Sequence, residues 1–354
     1  MAYSDIDDPT SHFNTVLFTG TTDAQSITGV GFQPGLTFIK VRNDTAFGVL
    51  QDEVRGATGT NSYFIITQAA ASDVSDAITS FDSDGFSLGT DANDRSNYAS
   101  KTHVAWNWKA GTSFSNDASA TSIGSIDSSG KVDDTGGFSI VSFTGTGSAE
   151  TIKHGLSTKP SWILIKNIDD SGENFVSFHK ELGPEKNQKF NNTEAFQDTT
   201  GSFNDTAPTT SVFSVGSFTN VNKSSGAMIA YCWSEKKGYS KFGSYTGNGA
   251  SDGPFVFTGF RPAWVMVKTS TDAGYNWVIY DDKRVGFNPD NDTLTANENR
   301  SEQTSGFGHI DILSNGFKVR ASTNDTNRNA NAIMYFAFAH SPFVNSNGVP
   351  TNAR

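Results

Sequence analysis

The chain has 354 residues, which at about 100–200 residues per domain predicts two or three domains. Its net charge of −11 opposes phosphate, excluding nucleic acid as a natural partner, and its single cysteine, Cys232, excludes an intrachain disulfide. No run approaches the roughly 18 apolar residues of a membrane span, and MAYSDIDDPT lacks a signal peptide's basic and apolar regions, so we expect a soluble product made in a reducing cytosol.

In chain order, the first strand-like block is LFTG at 17–20. QPGLTFIK follows at 33–40, then FGVLQDEVRG at 47–56, SDGFSLG at 83–89 and HVAWNWKAG at 103–111. A second copy reads SFTG (142–145), TKPSWILIK (158–166), NFVSFHKELG (174–183), SVFSVG (211–216) and MIAYCWSEK (228–236). The third reads SYTG (244–247), FRPAWVMVK (260–268), NWVIYDDKRVG (276–286), SNGFKVR (314–320) and IMYFAFAHSPF (333–343). Proline-to-lysine spacing is the same in each copy (Pro34–Lys40, Pro160–Lys166, Pro262–Lys268). Five blocks in one order, three times over, establish a repeat of about 100 residues, too long for a solenoid unit.

Aromatic-rich alternating strands with Gly, Asn, Asp and Ser between them specify sheet. The expected fold is all-β: three tandem antiparallel β-sandwich domains of jelly-roll type, each closing its own core. The boundaries are 1–110, 138–238 and 239–343, with a Gly/Ser/Asp-rich linker at 111–137 and a tail at 344–354. In the closing strands, Trp106 with Trp108 and Phe336 with Phe338 should face the core. Copy two departs from the pattern. Ser211 and Val212 stand where the others have Asp84-Gly85 and Asn315-Gly316, and Leu182-Gly183 replaces Arg55-Gly56.

Little in the chain suggests catalysis. The histidines (12, 103, 154, 179, 309 and 340) fall at non-equivalent places without metal-ligand spacing. Cys232 reads as a small side chain opposite the aromatics. The glycines of 144–150 follow a strand without a helix, which argues against a phosphate loop. Two oxygen-rich clusters, Asp91, Asn93 and Asp94, and Asp290, Asn291 and Asp292, are the calcium candidates, although neither has the EF-hand's terminal glutamate. The recurring Lys40, Lys166 and Lys268 are expected to be solvated or paired with an acid of the next strand, Asp52, Asp281 or Asp282. The chain is read as a non-enzyme without catalytic or cofactor-binding residues.

Several blocks together resemble a known family: DIDDPTSHFNTVLFTG (5–20), QPGLTFIK, VRGAT (54–58), SFDSDGFSLG (80–89), VAWNWKAG (104–111), GYSKFGSYTGNG (238–249), FRPAWVMVK, DILSNGFKVR (311–320) and NSNGVPTNAR (345–354). They are similar to a repeat-domain family of virion structural and tail-fibre-like proteins of marine bacteriophages, of cyanophage and pelagiphage type. The likeness runs nearly end to end and is weakest in copy two. It implies a virion location, with other virion proteins as partners, and sandwiches of concanavalin-like type. A homo-oligomer, with a trimer favoured, and a host-surface glycan as ligand go with a fibre reading. The likeness brings no catalytic residues. A tail fibre or appendage used in host attachment is the first reading, a head decoration the alternative, and a polysaccharide-binding or depolymerising module the third.

Overall fold

The computed structural model describes residues 3–21, 23–57, 63–66, 72–74, 77–90, 95–170, 172–284, 288–289, 292–304 and 308–351. It is nearly all antiparallel sheet. Each repeat contributes one large sheet and one small one. In the large sheets the opening strand (Phe13–Thr19, Phe138–Thr144 or Ser240–Thr246) pairs with the closing strand (Thr102–Trp108, Ala227–Trp233 or Ala332–Pro342). The closing strand pairs in turn with the lysine-bearing strand (Leu36–Val41, Trp162–Asn167 or Phe260–Thr269), and that with the next strand (Gly48–Asp52, Val176–His179 or Val278–Asp281). Register is the same in each copy: Trp106 lies opposite Phe38, Tyr231 opposite Leu164, and Phe336 opposite Met266. These three closing-strand residues are therefore equivalent.

The aromatics are buried, but not in three separate sandwich interiors. Leu36, Phe38, Trp106 and Trp108 of the first repeat pack in one apolar core with Trp162, Leu164, Tyr231 and Trp233 of the second and Trp264, Met266, Phe336 and Phe338 of the third. The opposite face of each large sheet carries the small sheet. Ile39 and Ala105 pack there with Ile27, Ile78, Phe86 and Leu88; Ile163, Ile165, Ala230 and Cys232 pack with Ile152, Phe213 and Val215. The expectation that each unit closes its own core fails for a physical reason. The central strands are apolar on both faces, and a small sheet covers only one of them. At roughly 25 cal/mol per Å² of apolar surface, the other face cannot be left in water, so the repeats bury it against one another.

Two further differences concern copy two. The segment 111–137, expected as a linker lying along a surface as a hairpin or extended arm, is a hairpin of Thr112–Asn116 and Ser128–Asp133, but it is added to the edge of the second large sheet as part of that unit. Its Ile126 is buried against Ile152, and Phe114 and Val132 pack on the same cluster, so its few apolar residues tether it. The small sheet of copy two has two strands (Glu150–Lys153 and Val212–Val215), where the other copies have three. Asp84-Gly85 and Asn315-Gly316 make the hairpin turns behind the third strand, and copy two has no such turn in its sequence.

The aromatic-Thr-Gly signature is explained by a buried asparagine in each repeat. Asn97, Asn222 and Asn327 are fully buried and clip the loop that follows the signature. Their side-chain amides donate to loop carbonyls such as Asp23, Ser148 and Ala250, and their oxygens accept from the amides of Thr21, Thr146 and Asn248. The backbone after each asparagine crosses directly over the glycine. A Cβ on Gly20, Gly145 or Gly247 would lie 2.1, 2.3 or 2.2 Å from the carbonyl oxygen of Tyr98, Lys223 or Arg328. Backbone cannot yield as a flexible side chain does. Gly145→Ala is therefore expected to cost about 1–3 kcal/mol, read as a fall in urea midpoint. An unchanged midpoint would show that the crossing is not tight.

Candidate functional site

The recurring lysines are buried, contrary to expectation, and their ammonium groups donate to backbone carbonyls. Lys40 Nζ donates to the Glu298 carbonyl at 2.6 Å, reaching from the first repeat to the third. Lys166 donates to the carbonyls of Asn167 and Asp170, and Lys268 to that of Thr269. Each lysine closes the end of an apolar strand by satisfying backbone carbonyls that the core would otherwise strand.

The acids have other work. Asp52 Oδ1 accepts from the amides of Val54 and Arg55, and Oδ2 accepts from Arg55 Nε at 2.5 Å and from the Tyr231 hydroxyl at 2.8 Å. Asp281 repeats this with Lys283, Arg284 and the Trp106 indole N–H, the last at 3.0 Å. Position for position, copy two carries His179, whose Nδ1 accepts the Glu181 amide, and its ring packs edge-on to Phe336 at 4.9 Å. The contacts thus run from the first repeat to the second, the second to the third, and the third back to the first. Where the neighbour offers no donor (Phe336), the carboxylate is replaced by histidine and the arginine by Leu182. Burial holds the His179 pKa down to about 3, so the ring is neutral and needs no counter-charge. Tyr231 sits in the same surroundings, and burial pushes its hydroxyl well above the ordinary value.

Lys40 gives this region a pH dependence. Desolvation lowers its pKa from 10.5 to about 7, against the attraction of Glu298 and together with the repulsion of Arg284. The unfolded chain therefore binds more protons than the folded one between those two values, and stability rises with pH across that window. Lys268, lowered to about 8, acts in the same direction. The expected gain from Lys40 between pH 7 and 9.5 is about 3 kcal/mol. Urea titrations at both pH values read it, and Lys40→Met should flatten the trend. A wild-type stability that falls over the same range would contradict the assignment.

The other candidate residues do not converge. His12 pairs with Asp133 at 2.5 Å, and His340 with Asp282 at 2.7 Å. His103 stacks on Phe18, while His154 is buried with its pKa lowered by desolvation to about 4. Cys232 lies on the small-sheet face, where burial pushes its thiol up. Of the calcium candidates, Asp91, Asn93, Asp94, Asp290 and Asn291 lie outside the described residues. The carboxyl of Asp292 is raised by burial and by Glu302, but both Glu302 oxygens are engaged by Arg42 and Arg284. Among the described residues, no group of three or more His, Cys, Asp or Glu is placed to hold a metal ion, and no helix is long and apolar enough to cross a membrane.

One open site does assemble, from four distant segments. The stretch before the first repeat, the connection between the second and third repeats with the start of the third, the turn at 257–259 and the stretch after the last strand meet at a cleft of about 440 Å³. Asp5 accepts the Lys237 amide, and Asp7 accepts from Ser346, which holds the two ends of the described chain side by side. The cleft is lined by Tyr3, Phe257 and Phe343, which are 60, 54 and 39 % exposed, and by Lys236, Lys237 and Lys241. Lys237 Nζ lies 5.8 Å from the Tyr3 ring centre and Lys241 Nζ 5.3 Å from that of Phe257. Glu235 also lines the cleft, but its carboxylate is bonded to Lys180 at 2.6 Å. A larger cleft of about 910 Å³, lined by Arg261, Asn288 and His340 among others, has no aromatic wall. Sequence reasoning missed the first cleft because its residues are far apart in the chain. The one local signal, Phe255 and Phe257 flanking Val256, does not say which face is wet.

A search of curated proteins finds no match. A family model described as a domain of unknown function, DUF7483, matches residues 8–342, across all three repeats, and the chain belongs to that family.

Proposed function

We propose that the protein is a bacteriophage virion structural protein, an appendage component exposed for host-surface recognition. The observation that carries this reading is the interlock of three sandwich-like units round one core. Such a body is rigid, and it holds surface loops and clefts in fixed positions, as recognition requires. The likeness of the sequence blocks to marine phage structural proteins supplies the context. Partners in this reading are other virion proteins and a host-surface glycan, with a homotrimer as the assembly to test by mass in solution.

Immunogold labelling of phage particles in electron microscopy is the direct test. Label at the tail tip or on projecting fibres supports the reading. Label spread over the head overturns host recognition and makes the protein a head decoration, and particles without label overturn the virion reading altogether.

A further inference from the structure

We infer that the cleft between Tyr3, Phe257 and Phe343 binds an acidic sugar chain, one whose pyranose rings bear carboxylate or phosphate. The inference rests on the host-surface reading above for the source of the ligand, and on the cleft alone for its chemistry. Three of the seven exposed large hydrophobic side chains among the described residues line this single cleft. Exposed rings held in a concave site are a cost unless something covers them. Aromatic faces carry negative quadrupole density, which attracts the C–H faces of a flat sugar ring. Over two of those rings stands a lysine ammonium, Lys237 over Tyr3 and Lys241 over Phe257, placed to meet an anionic group at the edge of a sugar. Stacking face and adjacent cation, given twice, match the two surfaces of an acidic pyranoside: an apolar face and an anionic edge.

Charge supports the same choice. The chain as a whole carries −11, yet this cleft presents Lys236, Lys237 and Lys241 against Glu235, whose carboxylate is already taken by Lys180. A neutral glycan would make no use of the lysines, and a purely anionic ligand no use of the rings. The volume, about 440 Å³, lies in the range of small-molecule sites and suits two or three sugar residues.

Isothermal titration of the full chain with an alginate hexamer, a phosphomannan oligosaccharide and neutral maltohexaose tests this. Saturable binding of either charged oligosaccharide, weakening as salt rises and absent for maltohexaose, is the expected result, and which of the two binds distinguishes the uronate from the phosphate source. The double substitution Lys237→Gln with Lys241→Gln should weaken binding about tenfold or more, and Lys237→Arg with Lys241→Arg should restore most of it. Phe257→Ala should weaken binding without changing its salt dependence. No saturable binding of either charged ligand, equal binding of maltohexaose, or charged-ligand binding unaffected by the glutamine pair overturns the inference. Because particle labelling reads location alone, the cleft can fail while the virion reading stands, and the reverse.

Discussion

Asp52→Ala lowers stability by about 3–5 kcal/mol, seen as a large drop in urea midpoint. The carboxylate is fully buried and serves four donors: two amides, Arg55 and Tyr231. Removing it takes the carboxylate from beside a guanidinium that is only 5 % exposed and the acceptor from a buried phenol. The chain itself supplies the control. At the junction of copy two with copy three the equivalent positions hold His179, Leu182 and, on the closing strand of the third repeat, Phe336. The triple variant Asp52→His, Arg55→Leu, Tyr231→Phe should therefore recover well over half of the loss, because it removes both side-chain donors along with the carboxylate and supplies an imidazole that can accept a backbone amide, as His179 does. A triple variant whose loss equals the sum of its three single losses would show that the positions act independently.

Trp108→Ala costs about 3–5 kcal/mol and weakens all three repeats at once. Its ring lies within 5.1 to 6.0 Å of Phe13, Trp233, Trp264 and Phe338, centre to centre, so the void opens onto residues of every copy. Trp108→Phe should be far milder, since the indole N–H has no hydrogen-bond partner among the described residues. One transition is expected for the whole chain, coincident by tryptophan fluorescence and far-ultraviolet circular dichroism. A fragment of residues 111–238 is expected not to fold alone, because Trp162, Leu164, Tyr231 and Trp233 would face water. A soluble, cooperatively folded fragment, or a second transition in the full chain, would overturn the shared core.

Strand order and register were legible because repetition marks them: three copies of one pattern expose the positions that geometry constrains. The missing Asp-Gly turn of copy two stands where its small sheet lacks a strand. The shared core was legible too, in WILIK and WVMVK, which are apolar at every position where a surface sandwich would alternate. Weighting the alternation of VAWNWK over those runs led to three separate cores. The lysines misled for a similar reason. A charge ending an apolar strand is ordinarily wet, and only the neighbouring repeat, here Glu298 above Lys40, makes it dry. The cleft could not be read at all, since residues 3, 257 and 343 meet through tertiary folding and no periodicity links them.

The circular hand-off of contacts, Asp52 to Tyr231, His179 to Phe336 and Asp281 to Trp106, fixes the copy number. A solenoid can gain or lose a repeat at little cost, because each unit meets only its neighbours. Here the last unit must return to the first, and a rotational step that closes after three cannot close after two or four. Duplication of a fourth unit would have to break one of these three buried contacts to be admitted. Growth or divergence is therefore confined to the outward-facing loops and small sheets, whose residues the closure does not use. Relatives sharing this arrangement should differ there while holding to three repeats.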